Sequence, residues 1–353
     1  MGETRATQTE ARAWRNALTA AEMKSLLARN NWRSALSIAL DWGLVFAAFA
    51  LVAAAPNVLS VIVAIFVIGG RQLGFAVLMH EAAHHTLFAN RRLNDFAGNW
   101  LCAYPIWTDL APYRAYHLKH HAKNWTAEDP DLGLATKFPV TRASLRRKIV
   151  RDLTGQVGWK RVRAVLARDL GRRERGVAVS FGKTAGAGAP GWKNLQGVVI
   201  TNAMLFGILL LAGWPQLYLL WGVAWFTTNS LATRIRSIAE HNMVPDPGDE
   251  LRNTRTTLAN GWERLLLAPN RVNFHLEHHL VMYVPCYNLP KVHAILMNGP
   301  HAARMEVQRG YLAVLGLATA ARDANDHPGA IVNNARRMRG GAHIGEDQAS
   351  AGF

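Results

Sequence analysis

The fold class that this chain of 353 residues predicts is an all-α membrane protein: four transmembrane helices in two hairpins, with a cytoplasmic helical cap holding a histidine-rich site. Three observations predict it. Half of the residues are hydrophobic, and they gather into long runs with almost no charge. Lys and Arg crowd the sequence on one side of those runs. Ten of the 14 histidines form three clusters plus a single, each just beyond the end of an apolar stretch.

Residues 1–33 carry Arg5, Arg12, Arg15, Lys24, Arg29 and Arg33 and read as a polar, helical, cytoplasmic lead-in lying on the membrane surface. The run Ala35–Ala55 holds one charge, Asp41; residues 58–70 hold none, and apolar character resumes after Arg71 from Leu73 to Met79. Leu195–Gly213 and Trp214–Thr233 are uncharged. Crossing the hydrocarbon takes roughly 20 helical residues, and a buried soluble helix of that length shows a polar face. The spans are therefore placed at 35–55, 58–79, 195–213 and 214–234. The short uncharged turns Pro56-Asn57 and Gly213-Trp214-Pro215 make each pair a hairpin. A helix from Val58 to Phe88, about 31 residues and about 46 Å long, lifts His80 and His84 clear of the lipid, and the last helix does the same for His241 by running on through Arg234. Trp100–Trp107 is apolar but too short to span and reads as an interfacial or re-entrant segment. Between Thr141 and Leu170, Leu145, Ile149, Leu153 and Val157 recur at helical spacing among arginines, the pattern of basic amphipathic helices on a membrane face. Gly171–Gly191 reads as a loop. The membrane domain ends near residue 320, and 321–353 is expected to be a disordered tail.

The formal net charge is +16, and between Lys137 and Lys193 there are 15 basic residues against Asp152, Asp169 and Glu174. Because the basic residues flank apolar spans, they speak for membrane orientation and anionic lipid rather than for nucleic acid. The bias of Lys and Arg toward cytoplasmic loops puts both termini, the central loop and all three histidine clusters in the cytoplasm, with a bacterial inner membrane as the expected location. No cleavable signal peptide is evident. Cys102 and Cys286 lack metal-like spacing, which argues against a disulfide framework or a cysteine-bound zinc.

The clusters are His80-Glu81-Ala82-Ala83-His84-His85, His117-Leu118-Lys119-His120-His121 and His275-Leu276-Glu277-His278-His279, with His241 alone. Neutral imidazole is the commonest metal ligand near neutral pH. Residues three and four apart share a helix face, so His117, His120 and His121 are expected to project together, as are His275, His278 and His279. His80 and His84 are one turn apart, whereas His85 lies about 140° round from His80 and ranks below His84. Any single one of these reads most simply as a surface histidine; three clusters at one membrane face do not. Structural zinc takes four ligands and catalytic zinc three, copper uses few histidines, often with sulfur, and the paired Glu-x-x-His motifs of soluble di-iron proteins are missing. Nine imidazoles shared by two iron ions give each four or five nitrogens and an open position, where a redox metal reacts with oxygen.

The stretches LMHEAAHHTLF, YRAYHLKHHAKNWTAEDPD, RIRSIAEHN and NFHLEHHLVMYVPCYNLPKVH, set around two hairpins, resemble the membrane fatty acid desaturase and hydroxylase superfamily over roughly residues 35–300. The resemblance implies a di-iron centre that activates O2, abstracts hydrogen from an unactivated C–H bond of a lipid-like or acyl chain, and takes electrons from an external donor. Its ligands here are His80 and His84 from the first box, His117, His120 and His121 from the second, His275, His278 and His279 from the third, and His241 from the last span. Asn273 is expected either to hold the far ring nitrogen of a third-box histidine or simply to cap a helix. Asp129 and Asp131 are candidates for the same supporting role, with a plain Asp-Pro-Asp turn as the favoured reading. Two departures stand out: His85 occupies a position where the family often has a small residue, and His275 stands where one branch has Gln. His327-Pro328-Gly329 faintly resembles a haem motif but has too little sequence after it for a haem domain, so a separate donor such as a ferredoxin is expected. The basic central loop is a docking surface for such an acidic carrier or an ordinary solvated or lipid-facing surface.

His80-Glu81-Ala82-Ala83-His84 is also a literal HExxH, so a membrane zinc protease with Glu81 as base is a second reading, one that leaves most of the clustered histidines unused. A metal transporter is a third, disfavoured because the clusters flank the spans rather than sit within them. Within the oxygenase reading, desaturation, hydroxylation and ketolation of a lipid, carotenoid or small molecule are not separable by residue type.

Overall fold

The computed structural model describes residues 13–169 and 195–319. The expected loop at 171–191, the tail from 321 and the His327 motif lie outside those residues. A 3-10 turn (Ala13–Ala17) and helix α1 (Ala20–Leu26), closed by a reciprocal Thr19/Glu22 cap, form the lead-in. They are not a separate surface segment: Trp14 and Leu26 are buried against Leu276, Leu289 and Val292 of the C-terminal region, and Trp14 Nε1 donates to Glu250 at 2.9 Å.

Among the described residues, helices α2 (Asn31–Ala54) and α3 (Val58–Ala83) are the two long and apolar enough to cross a membrane. At 1.5 Å per residue they are about 36 and 39 Å long, against about 30 Å of hydrocarbon. Asn57 caps α3 through Leu59 and Ser60 and closes the hairpin. The outer part of the pair leaves Leu36, Leu40, Val58 and Leu59 more than half exposed, whereas α3 is buried without interruption from Ile68 to Ala83. The one charge of the first span is not alone: Asp41 meets Arg71 of α3 at 2.8 Å, with side chains only 2% and 7% exposed. Asn270 donates to the same carboxylate at 2.8 Å. This cluster ties the first hairpin to the loop that leads into the third histidine box.

Helix α3 does not continue to Phe88 as the apolar pattern suggested. It ends at Ala83, His84 caps it, and His85 turns left-handed with φ 58°. Helix α4 (Arg91–Ala97) then runs into a π-helical turn (Gly98–Ala103) and a 3-10 turn (Tyr104–Ile106), so the apolar Trp100–Trp107 segment is helical and packed on the bundle. Gly98 sits against Ala82, where an added Cβ would approach to 2.5 Å. Helix α5 (Leu110–Lys123), capped by Asp109, carries the second box. Helices α6 (Arg142–Leu153) and α7 (Gln156–Asp169) form the expected basic amphipathic pair. Leu145, Val162 and Val165 are buried, Arg142, Arg146, Arg147 and Arg151 are exposed, and Leu153, expected on the inner face, is 40% exposed.

The second hairpin departs from two continuous spans. Helix α8 (Gln196–Leu211) has 16 residues, about 24 Å. Its partner is broken into α9 (Tyr218–Phe226) and α10 (Thr228–His241) at Thr227, whose φ/ψ are −115°/−85°. A close approach holds the break: Thr228 Oγ1 donates to the Ile65 carbonyl at 2.7 Å, and only glycine at position 69 leaves room for that hydroxyl. The all-α expectation also needs correction. Strands β1 (Thr256–Leu258) and β2 (Val307–Arg309) pair in parallel, Thr256 opposite Val307. β1 also bridges to Phe274, next to the third box. Helices α11 (Gly261–Leu266), α12 (His275–Leu280), α13 (Leu289–Met297) and α14 (Tyr311–Thr319) complete the chain.

Candidate metal centre

The last turn of α3, helix α5, the end of α10 and helix α12 converge, and the histidines on them fall into two groups. Ring nitrogens of His80, His84, His117, His121 and His278 lie within 4.8 Å of one another. Those of His120, His241 and His279 form a second group, and His275 joins it, its Nε2 standing 2.8 Å from that of His241. The expectation that each triad projects as a unit is corrected here. At 100° per residue, positions i and i+4 diverge by about 40°, while i+3 and i+4 diverge by about 100°. His117 and His121 therefore serve the first group and His120 the second; His275 and His279 serve the second and His278 the first. The two boxes cross-link the two groups.

The arrangement fits a pair of metal ions. In the first group His84 and His117 approach Nε2 to Nε2 at 2.9 Å, His117 and His121 at 3.0 Å, and His121 and His278 at 3.0 Å. A proton bridges only two nitrogens, so five converging rings cannot satisfy one another. Two nitrogens bound at about 2.1 Å and at right angles to a common ion stand about 3.0 Å apart, which matches these edges. His80 has no hydrogen-bond partner at either nitrogen, and His279 has none at Nε2, although all three atoms are buried. Burial first, then repulsion from neighbouring rings and cations, pushes His117, His121, His241, His275, His278 and His279 well below the ordinary imidazole value, so they are neutral donors.

His120 behaves differently. Burial pulls it down, but the hydrogen bond to Asp129 and the nearby Asp131 carboxylate outweigh that and raise it. Asp129 Oδ1 holds His120 Nδ1 at 2.8 Å while its two oxygens also accept from the Trp125 and Asp131 amides. The favoured turn reading was therefore only half of its role. Asp131 accepts the Tyr116 hydroxyl and stands 3.8 Å from His120. Asn273 takes neither expected part. It donates to the Thr257 carbonyl at 3.0 Å, and the residue before α12 is Phe274, so Asn273 fastens the third box to β1. His85 lies outside both groups, 3.8 Å from Asp95, while His84 lies inside. Glu81, the base of the protease reading, accepts from the Thr86 hydroxyl and the Cys286 amide, each at 2.9 Å, and is spent on holding the cap to α3.

Sequence reasoning passed over several supporting residues. Glu240 stands 3.5 Å from His275 Nδ1 and takes the Nε of Arg236; the Arg-x-x-x-Glu spacing on a helix is the signal that was there to read. Glu277 holds His293 at 2.6 Å and the Thr256 hydroxyl, locking α12 to α13 and β1. Arg255, 1% exposed, gathers the carbonyls of Ala239, Asn242 and Met243 on either side of His241.

Apolar helices that end in two groups of mostly buried imidazoles define a histidine-rich cluster able to hold metal. Comparison with known families narrows the class. The fatty acid desaturase family model matches residues 56–310, and the chain belongs to that family; it is an oxidoreductase of the desaturase kind. It is 28% identical over 277 residues to dihydrorhizobitoxine desaturase of Bradyrhizobium elkanii, covering 72% of each chain. It is 25% identical over 237 residues to the chloroplastic omega-6 fatty acid desaturase of Arabidopsis thaliana and 24% over 241 to that of Glycine max, covering 62% and 64% of this chain. It spans about half the length of these plant relatives, 49% and 53%.

Proposed function

We propose that this chain is a di-iron desaturase that uses O2 and electrons from an external donor, such as a ferredoxin, to introduce a double bond into an acyl or similar chain. The carrying observation is the division of nine imidazoles into groups of five and four. When bound, an iron pair supplies the redox chemistry that reduces O2 and removes hydrogen from an unactivated C–H bond. In balance, a –CH2–CH2– unit, O2, two electrons and two protons give –CH=CH– and two waters. The chain's own residues hold the donors in place. Asp129 fixes His120, Glu240 stands behind His275, and the β1 bridge and Glu277 set α12. The protein walls exclude bulk water from the rings, all but His121 and His279 being less than 10% exposed. His80, His84, His117, His121 and His278 would hold one iron, and His120, His241, His275 and His279 the other.

In the same reading, the protein crosses a bacterial inner membrane four times, with the metal site and both termini in the cytoplasm. The exposed leucines of α2, the half-exposed Met204, Ile208 and Leu210 of α8, and the basic α6–α7 pair support that placement. Desaturation is favoured over hydroxylation because the three relatives named above are desaturases. Two measurements test the proposal. Iron per purified chain is expected to be two, and one zinc per chain would refute it. Mass spectrometry of lipids and small metabolites from cells with and without the chain is expected to show a product two hydrogens lighter; a new hydroxyl would replace desaturation with hydroxylation.

A further inference from the structure

The cavity that opens on the histidine groups sets unengaged polar donors among apolar walls formed by Tyr113, Leu134 and Ala135. It measures about 60 Å³ and is also lined by His117, His120, His241 and His275, by Thr233, Arg236, Ser237 and Glu240 of α10, and by Asp131 and Tyr116. On α10 these polar residues fall at i, i+3, i+4 and i+7, so a single polar stripe of the helix faces the site. Arg236 spends only its Nε on Glu240, and among the described residues its two terminal amino groups have no hydrogen-bond partner. The same holds for the hydroxyls of Thr233 and Ser237. Asp131 is already held by Tyr116, and Glu240 by Arg236. The groups free to recognise something are therefore a guanidinium fork and two hydroxyls, the donor set that suits a carboxylate or another oxygen-rich group.

We infer that the substrate places an oxygen-bearing polar group, a carboxylate or its amide or ester, in this cavity beside the second histidine group, so that the carbons to be desaturated lie close to that group rather than far along an apolar chain. This rests on the desaturase reading and narrows its substrate class. The volume has room for about four to six water-sized groups, which fits a carboxylate and the first few carbons attached to it. Asp131 and Glu240 against Arg236 leave the polar wall formally negative. Two iron cations, when bound among imidazoles rather than carboxylates, would more than offset that wall, so the loaded site would attract an anion.

The test uses the full chain, iron-loaded, in lipid nanodiscs, with hexanoate and hexane as probes and the unfolding midpoint and iron content as readouts. Hexanoate is expected to raise the midpoint saturably, and hexane at equal concentration is not. Arg236→Met is expected to raise the half-saturating hexanoate concentration at least tenfold, with Arg236→Lys retaining part of the response. Ser237→Leu, which fills the cavity, is expected to abolish the response with iron still bound. Absence of a hexanoate effect on iron-replete wild type, or an equal effect of hexane, overturns the inference and leaves the desaturase reading standing. So does a product whose double bond lies mid-chain in a long acyl group. A chain that binds no iron removes both.

Discussion

Asp129→Asn isolates one contact of the proposed site. The carboxylate makes three hydrogen bonds, to His120 Nδ1 at 2.8 Å and to the amides of Trp125 and Asp131 at 3.0 and 2.8 Å. Asparagine keeps one oxygen for the turn but removes the charge that holds the His120 ring and strengthens its other nitrogen as a donor. A hydrogen bond to a charged group contributes about 1.5–3 kcal/mol, and loss of a partner behind a metal-bound histidine lowers metal affinity about 10–100-fold. His120 belongs to the second group alone, so the loss should fall on one iron. In a chelator titration followed by iron analysis, the wild type is expected to release its two irons over one range. Asp129→Asn is expected to give up one iron at about 10–100-fold lower chelator while retaining the other. Equal weakening of both, or no weakening of either, would refute the assignment of His120 to a separate group held by Asp129.

The buried Asp41–Arg71 pair gives a stability prediction: Asp41→Leu or Arg71→Leu alone leaves an unpaired buried charge and should cost about 3–5 kcal/mol, while the double variant costs less than the sum. Unfolding midpoints in detergent check the non-additivity. Gly69→Ala forces a methyl into Thr228 and should cost about 1–3 kcal/mol by overpacking, read in the same assay. His84→Ala is expected to lose iron from the first group, whereas His85→Ala is expected to keep two irons per chain; identical iron contents would contradict the geometry. Because the groups offer five and four nitrogens with different carboxylate neighbours, Mössbauer spectra of the reduced protein should show two quadrupole doublets rather than one.

Much of this was legible before any coordinates. The histidine clusters announce themselves by spacing, and the first hairpin by its uncharged runs and the Pro56-Asn57 turn. What was not legible depends on contacts between remote segments. The break at Thr227 lies in an uncharged run, and what fixes it, the hydroxyl of Thr228 pressed against Gly69, depends on a different helix. The strands β1 and β2 are three residues each and exist because Arg255 and Asn273 draw the chain beside the third box, not because of any alternating pattern. Asp129 sat in a turn signature strong enough to explain itself, which hid its contact with His120. The division of each triad between two groups was in principle available, since adjacent histidines on a helix point about 100° apart; the error was to treat neighbours in sequence as neighbours in space.

That division has a consequence for how the site is held. Each of α5 and α12 donates to both groups, so neither metal position can shift without rotating a helix that also serves the other. The rigidity this demands is supplied from outside the rings: Glu277 and His293 behind α12, Arg255 behind the end of α10, and the Asp41–Arg71–Asn270 cluster below the loop into the third box. Most of these are charged or polar groups buried at some cost in desolvation. They are placed on elements far apart in sequence, which a core of leucines would join without fixing register. Among the described residues, the carboxylates within 3.5 Å of a ring nitrogen of the nine clustered histidines, Asp129 and Glu240, both stand beside the second group, and three of that group's four histidines line the cavity. On the proposed reading, the side of the site with fewer nitrogens and more negative support is the one that would meet the substrate.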